Sequence, residues 1–532
     1  MFAPMETVSR TFRADQAELA RILAPRDDLL LEKAEGNGVF GLAEGPFRHY
    51  RRVVRVEGAP TASDPAEPMD GGDPVVSETV EFELETPGWA WLFRAPTRAA
   101  LLRRPAQGER PPWWAPPHRL DSTQSRVLAL VCQLSVIAGY LGALLTMTIT
   151  YAAEEFGASD RQQGVALATV RAGVLLSLAA VWAADRFGRR RVVLATATAC
   201  VLVTALGSVS QDLTQLTATQ VVARGLSTAL FVLLGVYVVE EMPAGARAYA
   251  VSVSTMAAAL GAGATVIFAT PIADSAQAAW RIFFAAALVF LLPLRPIARI
   301  LPETRRFERS VEQPHPSSEL SPEEHSRHRR RFALMAVSAF LGGVFAAPAS
   351  QFLNEFLRDE RSFSGARIAL FRVLTGLPGG IGIVVGGRLA DTRGRRPVGA
   401  VAMVVGTLMA AAGFLTDGWV LWVTATVGSI VGAAAIPTLG VYGPELFPTN
   451  LRGAANGGIA VAGVIGSAIG LLTAGALSEA WGALGPGIAV LAAGPLLLAL
   501  LIVVFYPETA DLELEEINPE DARPEPESTD RP

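Results

Sequence analysis

From about residue 127 the chain reads as twelve apolar segments separated by short polar breaks: 127–150, 163–183, 192–210, 215–238, 249–272, 281–300, 332–354, 366–386, 398–416, 418–441, 454–476 and 485–506. Each is roughly 18–25 residues long, the length a helix needs to cross ~30 Å of hydrocarbon. Backbone polar groups in lipid must be satisfied within the segment, so helices are expected. Before residue 125 the pattern changes. "ETVEFELE" (78–85) alternates Val80, Phe82 and Leu84 with Glu81, Glu83 and Glu85, which predicts a half-buried strand. "HYRRVVRV" (49–56) is read as its partner, with Arg51, Arg52 and Arg55 opposite the glutamates. "GAPTASDPAEPMDGGDP" (58–74) reads as a loop. "GWAWLFRAPTRAALLRR" (88–104) mixes Trp89, Trp91, Phe93 and Leu101 with four arginines, as a segment lying on a membrane surface does.

Composition supports a polytopic membrane protein. The 532 residues are 51% hydrophobic and 18% charged, against roughly 25% charged in soluble domains. The net charge of −5 says little, because the acids sit mainly in the tails, and no nucleic-acid partner is expected. Cys132 and Cys200 both sit in apolar runs, so no disulfide framework is expected. All five histidines lie outside those runs, which argues against a metal site or a buried histidine relay. No His, Cys or Ser constellation suggests an enzyme, and no cofactor is expected. Residues 1–30 lack a signal-peptide pattern.

Arginines set the orientation. Arg186, Arg189, Arg190 and Arg191 follow segment 2; Arg305, Arg306 and Arg309 follow segment 6; Arg393, Arg395 and Arg396 follow segment 8. The intervening loops are poor in base. The arginine-rich loops and both termini are therefore expected in the cytoplasm of a cell with an inner membrane. The expected organisation is a cytoplasmic α+β domain (1–125), six helices (126–301), a polar linker (302–331), six helices (332–506) and a cytoplasmic tail (507–532). The "RHRRR" that closes the linker reads as a positive-inside stop, and it also fits contact with anionic lipid.

The two sets of six repeat each other. Asp185 and Asp391 are 206 apart; Glu240 and Glu445, Pro243 and Pro448, Arg247 and Arg452, and Pro302 and Pro507 are each 205 apart. "GRLADTRGRR" (387–396) and the weaker copy "VWAADRFGRR" (181–190) resemble the best-known signature of the major facilitator superfamily. The Glu–Pro–Arg loops, "WR" (280–281) and the two "PET" boxes resemble its sugar-porter and metabolite-porter branch. The resemblance covers about 125–517. It implies twelve helices in two pseudo-symmetric halves that rock about a central site.

The same resemblance implies a gate at the cytoplasmic end. Asp185, Arg189 and Arg190 would meet Glu240; Asp391, Arg395 and Arg396 would meet Glu445; Arg247 and Arg452 would join across the halves. Gly188 and Gly394 permit the tight turns. The complete second copy is expected to be the more sensitive to mutation.

Charges inside a membrane are candidates for substrate contact. Arg171 lies fourteen residues before Asp185, and Arg224 lies sixteen before Glu240. At 1.5 Å per residue both sit about 21–24 Å from the turns. Two basic groups at one depth suit an anionic substrate. Arg372 lies nearer the outside. Gln133 and Tyr140, seven apart, and Gln351 and Asn354 are further cavity candidates. "GLPGG" (376–380) and "GVIGSAIG" (463–470) are read as close-packing runs or hinges. The expected protein is a monomeric, multi-pass secondary or facilitative transporter of a small polar metabolite, sugar-like or an organic anion, with a proton as a candidate coupling ion and the lipid bilayer around it. The alternatives are a drug-efflux antiporter and a transporter-like sensor signalling through residues 1–125.

Overall fold

The computed structural model describes residues 5–57, 74–103, 111–112, 114–273, 279–312, 321–449 and 451–521. Residues 58–73 of the expected loop, 313–320 of the linker and 522–532 of the tail lie outside them. Backbone contacts divide the chain into two units, Met1–Leu130 and Val131–Pro532.

The first unit is built on a five-stranded antiparallel sheet: β1 (Glu6–Arg13), β2 (Leu31–Gly36), β3 (Val39–Glu44), β4 (Phe47–Glu57) and β5 (Val75–Leu84), in the order β1-β5-β4-β3-β2. Helices α1 (Gln16–Ile22) and α2 (Ala90–Leu102) accompany it. Strand β5 turns Val76, Glu78, Val80, Phe82 and Leu84 inward, as a period of two dictates. Arg51 lies opposite Glu81, but Arg52 faces Val80 and Arg55 faces Ser77.

Neighbours on a strand point to opposite faces, so the three arginines cannot all meet the glutamates. Arg52 points inward and is 2% exposed. It bonds Glu32 at 2.6 Å and Glu78 at 3.2 Å, and lies 4.0 Å from the Phe40 ring centre. Tyr50 donates to the same Glu32 at 2.6 Å. Burial, and then the Glu32 charge, push the Tyr50 phenol well above its usual range.

Among the described residues twelve helices are long and apolar enough to cross a membrane, and the chain is a multi-pass membrane protein. They are numbered here as spans. Spans 1–6 are Ser122–Glu155, Val165–Phe187, Arg189–Val209, Leu213–Glu241, Ala244–Thr265 and Trp280–Ile300. Spans 7–12 are Pro322–Gln351, Gly365–Arg393, Arg395–Leu415, Gly418–Glu445, Arg452–Trp481 and Leu484–Phe505. Short helices α3 (Arg305–Glu312) and α4 (Leu514–Ile517) follow spans 6 and 12.

Glycine lets equivalent helices touch in each half. A β-carbon on Gly261 of span 5 would sit 2.0 Å from the Val136 carbonyl of span 1. One on Gly466 of span 11, 205 residues on, would sit 2.2 Å from the Phe340 carbonyl of span 7. Across the halves, span 8 packs on span 5 and span 11 on span 2. In the "GLPGG" run, Gly380 faces Met256 of span 5; Gly466 and Gly470 of the span 11 run pack on span 7.

Candidate functional site

The tight turns between spans 2 and 3 and between spans 8 and 9 carry the charged clusters. Gly188 and Gly394 adopt φ +101° and +98°, a region that disfavours any side chain. A β-carbon there would also lie 2.6 Å from Glu303 and 2.7 Å from Glu508. These are the glutamates of the two "PET" boxes, 205 residues apart. Glu303 accepts from the Arg190 amide at 2.9 Å; Glu508 accepts from the amides of Arg395 at 2.9 Å and Arg396 at 3.1 Å. Each carboxylate satisfies otherwise orphaned N–H groups at a helix start and complements the helix dipole. Tyr237 and Tyr442 donate to the carbonyls of Pro302 and Pro507, fastening the same boxes.

The aspartates reach into the opposite half. Asp185 of span 2 accepts from the Ala454 amide of span 11 at 3.1 Å. Asp391 of span 8 accepts from the Ala248 and Tyr249 amides of span 5 at 3.1 and 2.8 Å. Both ligate helix N-termini, where anions are favoured. A β-carbon on Gly453 would fall 2.5 Å from Asp185, so position 453 in the first turn of span 11 has room only for glycine.

The glutamates join the halves as well. Glu240 lies 3.4 Å from Arg189 of its own half and 2.8 Å from Arg452 of the other. Glu445 contacts Arg395 of its own half and lies 3.4 Å from Arg247 of the other. Arg189 and Arg395 also pair with Asp185 at 3.0 Å and Asp391 at 3.4 Å. All four arginines are at most 1% exposed. The structure thus brings together Asp185, Arg189, Glu240 and Arg452 in one cluster, and Asp391, Arg395, Glu445 and Arg247 in the other.

Arg190 and Arg396 do not join these clusters. Arg190 donates to the Ala298 carbonyl of span 6 at 2.6 Å, and Arg396 to the Val503 carbonyl of span 12. Adjacent helical residues point about 100° apart, so only one arginine of each pair can face the opposite half. The other binds exposed carbonyls at a helix C-terminus.

The segment after span 12 adds residues that local patterns concealed. Glu513 bonds Arg247 at 2.9 Å, Asp521 lies 3.5 Å from Arg452, and Asn518 donates to the Glu445 carbonyl at 2.7 Å. Glu515 pairs with Arg306 at 3.0 Å. Burial raises Asp521 above the ordinary carboxylate range, against the pull of Arg452. For Glu515 burial acts upward too, but the Arg306 bond and charge hold it below that range. Acids clustered directly after the "PET" box, in "DLELEEI", were the available signal.

The opposite end is braced within each half. Arg281 bonds Glu155 at 2.9 Å, and Trp280 donates to the same carboxylate at 2.5 Å. Glu360, 205 residues after Glu155, accepts from the Leu484 and Gly485 amides at the start of span 12. Among the described ion pairs of the bundle, every pair joining the two halves sits at the arginine-rich end.

Arg171 and Arg224 lie on facing spans 2 and 4. Those helices touch at Gly173 and Gly225, next to the arginines: a β-carbon on Gly173 would be 2.2 Å from the Val221 carbonyl. Both arginine side chains are exposed. Arg224 makes a long bond to the Gly142 carbonyl at 3.4 Å, and Arg171 has no partner among the described residues. Arg372 donates to Asn354 at 2.7 Å, tying span 8 to the chain after span 7, where Gln351 is exposed. Gln133 is half-buried. Tyr140 departs from the expected cavity position. Its hydroxyl donates to the Phe283 carbonyl at 3.1 Å and its ring meets Phe290 edge-on, because this face of span 1 packs on span 6.

The sequence profile of the Major Facilitator Superfamily matches residues 130–377 and 335–529. The cis,cis-muconate transport protein of Acinetobacter baylyi is 26% identical over 383 residues, covering 69% of this chain and 90% of that protein. The probable 4-methylmuconolactone transporter of Cupriavidus pinatubonensis is 26% identical over 279 residues, 50% of this chain and 63% of that protein. Among solved structures, the proton:xylose symporter XylE superposes with a TM-score of 0.64 at 18% identity, covering 75% of this chain and 99% of that one. The human organic anion transporter MFSD10 superposes with a TM-score of 0.57 at 17% identity, covering 71% and 99%.

Proposed function

Because the chain belongs to the major facilitator superfamily, a family of membrane transporters, we propose that it carries a small organic anion by alternating access, with its arginine-rich end cytoplasmic and shut in this arrangement. The observation that carries the anion is the pair Arg171 and Arg224. Both side chains are exposed, beside the glycine contact that joins spans 2 and 4, and neither is bonded to a carboxylate among the described residues. Charges inside a bilayer are costly unless paired or hydrated. A carboxylate bound beside them supplies that pairing. Guanidinium and carboxylate also match in geometry, which favours a planar organic acid over a neutral sugar. The muconate and methylmuconolactone carriers among its relatives support a substrate of this class.

The buried clusters supply the other half of the mechanism. Two aspartates and two glutamates grip the opposite half at one end of the bundle. They hold that end closed while the other admits substrate. A few kcal/mol of differential contact is enough to bias such an equilibrium.

The test is a panel of labelled organic acids, hexoses and hydrophobic cations offered to vesicles containing the protein, with and without a proton gradient. Uptake of dicarboxylates or aromatic acids that fails in Arg224→Gln supports the reading. Uptake confined to hexoses or cations, or indifferent to Arg171 and Arg224, overturns it. Stimulation by the gradient identifies the proton as coupling ion.

A further inference from the structure

Helix α2 carries an apolar face that the first unit leaves uncovered. Trp91 is 70% and Leu92 49% exposed, and Ala95 and Ala99 lie on the same side of the helix. The opposite side packs inward through Ala90, Thr97 and Leu101. Among the described residues of 5–121, the other large apolar side chains so exposed are Met5 and Leu23, neither of them on α2.

Arginines fasten the end of the helix. Arg26 donates to the carbonyls of Leu101 at 2.6 Å, Ala100 at 3.1 Å and Arg103 at 3.2 Å, and Arg10 donates to that of Leu102 at 2.5 Å. Its start is pinned to the beginning of span 1. Trp89 donates to the Ala129 carbonyl at 3.0 Å, and Arg126 lies 3.6 Å from Glu85. The apolar stretch of span 1 begins at about 127, so Trp89 sits where hydrocarbon gives way to headgroups. Arg98 flanks the apolar face with no partner among the described residues, and Arg94 meets only Glu6, at 2.9 Å.

We propose that α2 is an interfacial helix that lays Trp91 and Leu92 into the leaflet where span 1 begins, with Arg98 on anionic lipid headgroups. An indole on an amphipathic helix suits that boundary, with its ring in the acyl region and its N–H at the headgroups. Arginines at the rim of the apolar face add attraction to negative lipid. The occupant follows from place. A face that starts at the membrane boundary and points away from its own sheet meets the bilayer before it meets another protein.

The test uses the full chain with Cys132 and Cys200 replaced by alanine and one cysteine carrying an environment-sensitive fluorophore, at Leu92→Cys or, on the same face, Ala95→Cys. Thr11→Cys, exposed on β1, is the aqueous control. The protein is placed in phosphatidylcholine vesicles with and without phosphatidylglycerol. Blue-shifted emission, quenching by shallow nitroxide lipids and loss of iodide quenching are expected at 92 and 95 but not at 11. The lipid quenching should weaken without phosphatidylglycerol or in Arg98→Glu. Iodide quenching at 92 and 95 as strong as at 11, or shielding from both quenchers as a protein partner would give, overturns the membrane contact. Lipid quenching indifferent to phosphatidylglycerol and to Arg98 overturns the headgroup role.

Discussion

Replacing Glu240 with glutamine separates a static role in packing from a role in holding one end of the bundle shut. Glu240 lies between Arg189 of its own half and Arg452 of the other, and it is 4% exposed. Glutamine keeps the shape and removes the charge. Breaking a buried ion pair costs about 3–5 kcal/mol, mostly because the abandoned charge stays out of water. Arg189 keeps Asp185 at 3.0 Å and Arg452 keeps Asp521 at 3.5 Å, so the lower figure, about 3 kcal/mol, applies here. The penalty is specific to the shut state. When the halves part, Arg452 leaves with its own half and is rehydrated. Three kcal/mol then moves the equilibrium by roughly a hundredfold, enough to take a state populated about 99:1 to near parity. Spin labels at Arg186→Cys and Arg393→Cys, both exposed, report the separation of the halves by electron–electron distance measurement. Glu240→Gln should add a longer distance at this end, and Arg452→Gln in the same chain should remove much of it by neutralising the stranded charge. An unchanged distance distribution in folded, membrane-inserted Glu240→Gln would refute the reasoning.

Four further outcomes follow from the same geometry. Asp391→Asn should widen that distance more than Asp185→Asn, since the side chain of Asp391 is fully buried while that of Asp185 is 11% exposed. Gly453→Ala should open the end too, at a cost to the shut state of about 1–3 kcal/mol, because its β-carbon would fall 2.5 Å from Asp185. Glu513→Gln should have a smaller effect, about 1 kcal/mol or less, since that side chain is 52% exposed; the same labels read it. Arg52→Met should loosen the first unit by about 3–5 kcal/mol through its stranded Glu32, seen as faster proteolysis of residues 5–120 with transport helices intact.

The membrane helices were legible because hydrocarbon thickness sets a length that apolar runs must meet. Their ends were not. The first run reads as 127–150, but the helix is Ser122–Glu155, since a helix continues past the lipid until a cap or turn stops it. Span 7 starts at Pro322 within polar sequence, where Ser321 and Glu324 form a capping box. The repeat near 205 residues exposed the paired aspartates, glutamates and arginines, because equivalent positions in a duplicated fold keep equivalent chemistry. It also marked Glu303 and Glu508, but their partners are backbone amides more than a hundred residues away in sequence, which no local pattern reveals. Arg190 and Arg396 read as equals of Arg189 and Arg395 until helical geometry turned them toward spans 6 and 12. In the first unit only β4 and β5 alternate clearly enough to read. Strand β2 is mostly polar, with Glu32 buried because Arg52 and Tyr50 meet it.

The most direct test of the central claim is solute counterflow with a labelled dicarboxylate such as cis,cis-muconate. Vesicles containing the protein are preloaded with unlabelled acid and diluted into a trace of label. Transient accumulation of label by the wild type, lost in Arg224→Gln and retained in part by Arg224→Lys, is what alternating access by an arginine-bound anion predicts. Accumulation unaffected by Arg224→Gln, or the absence of counterflow for every organic acid offered, would contradict it.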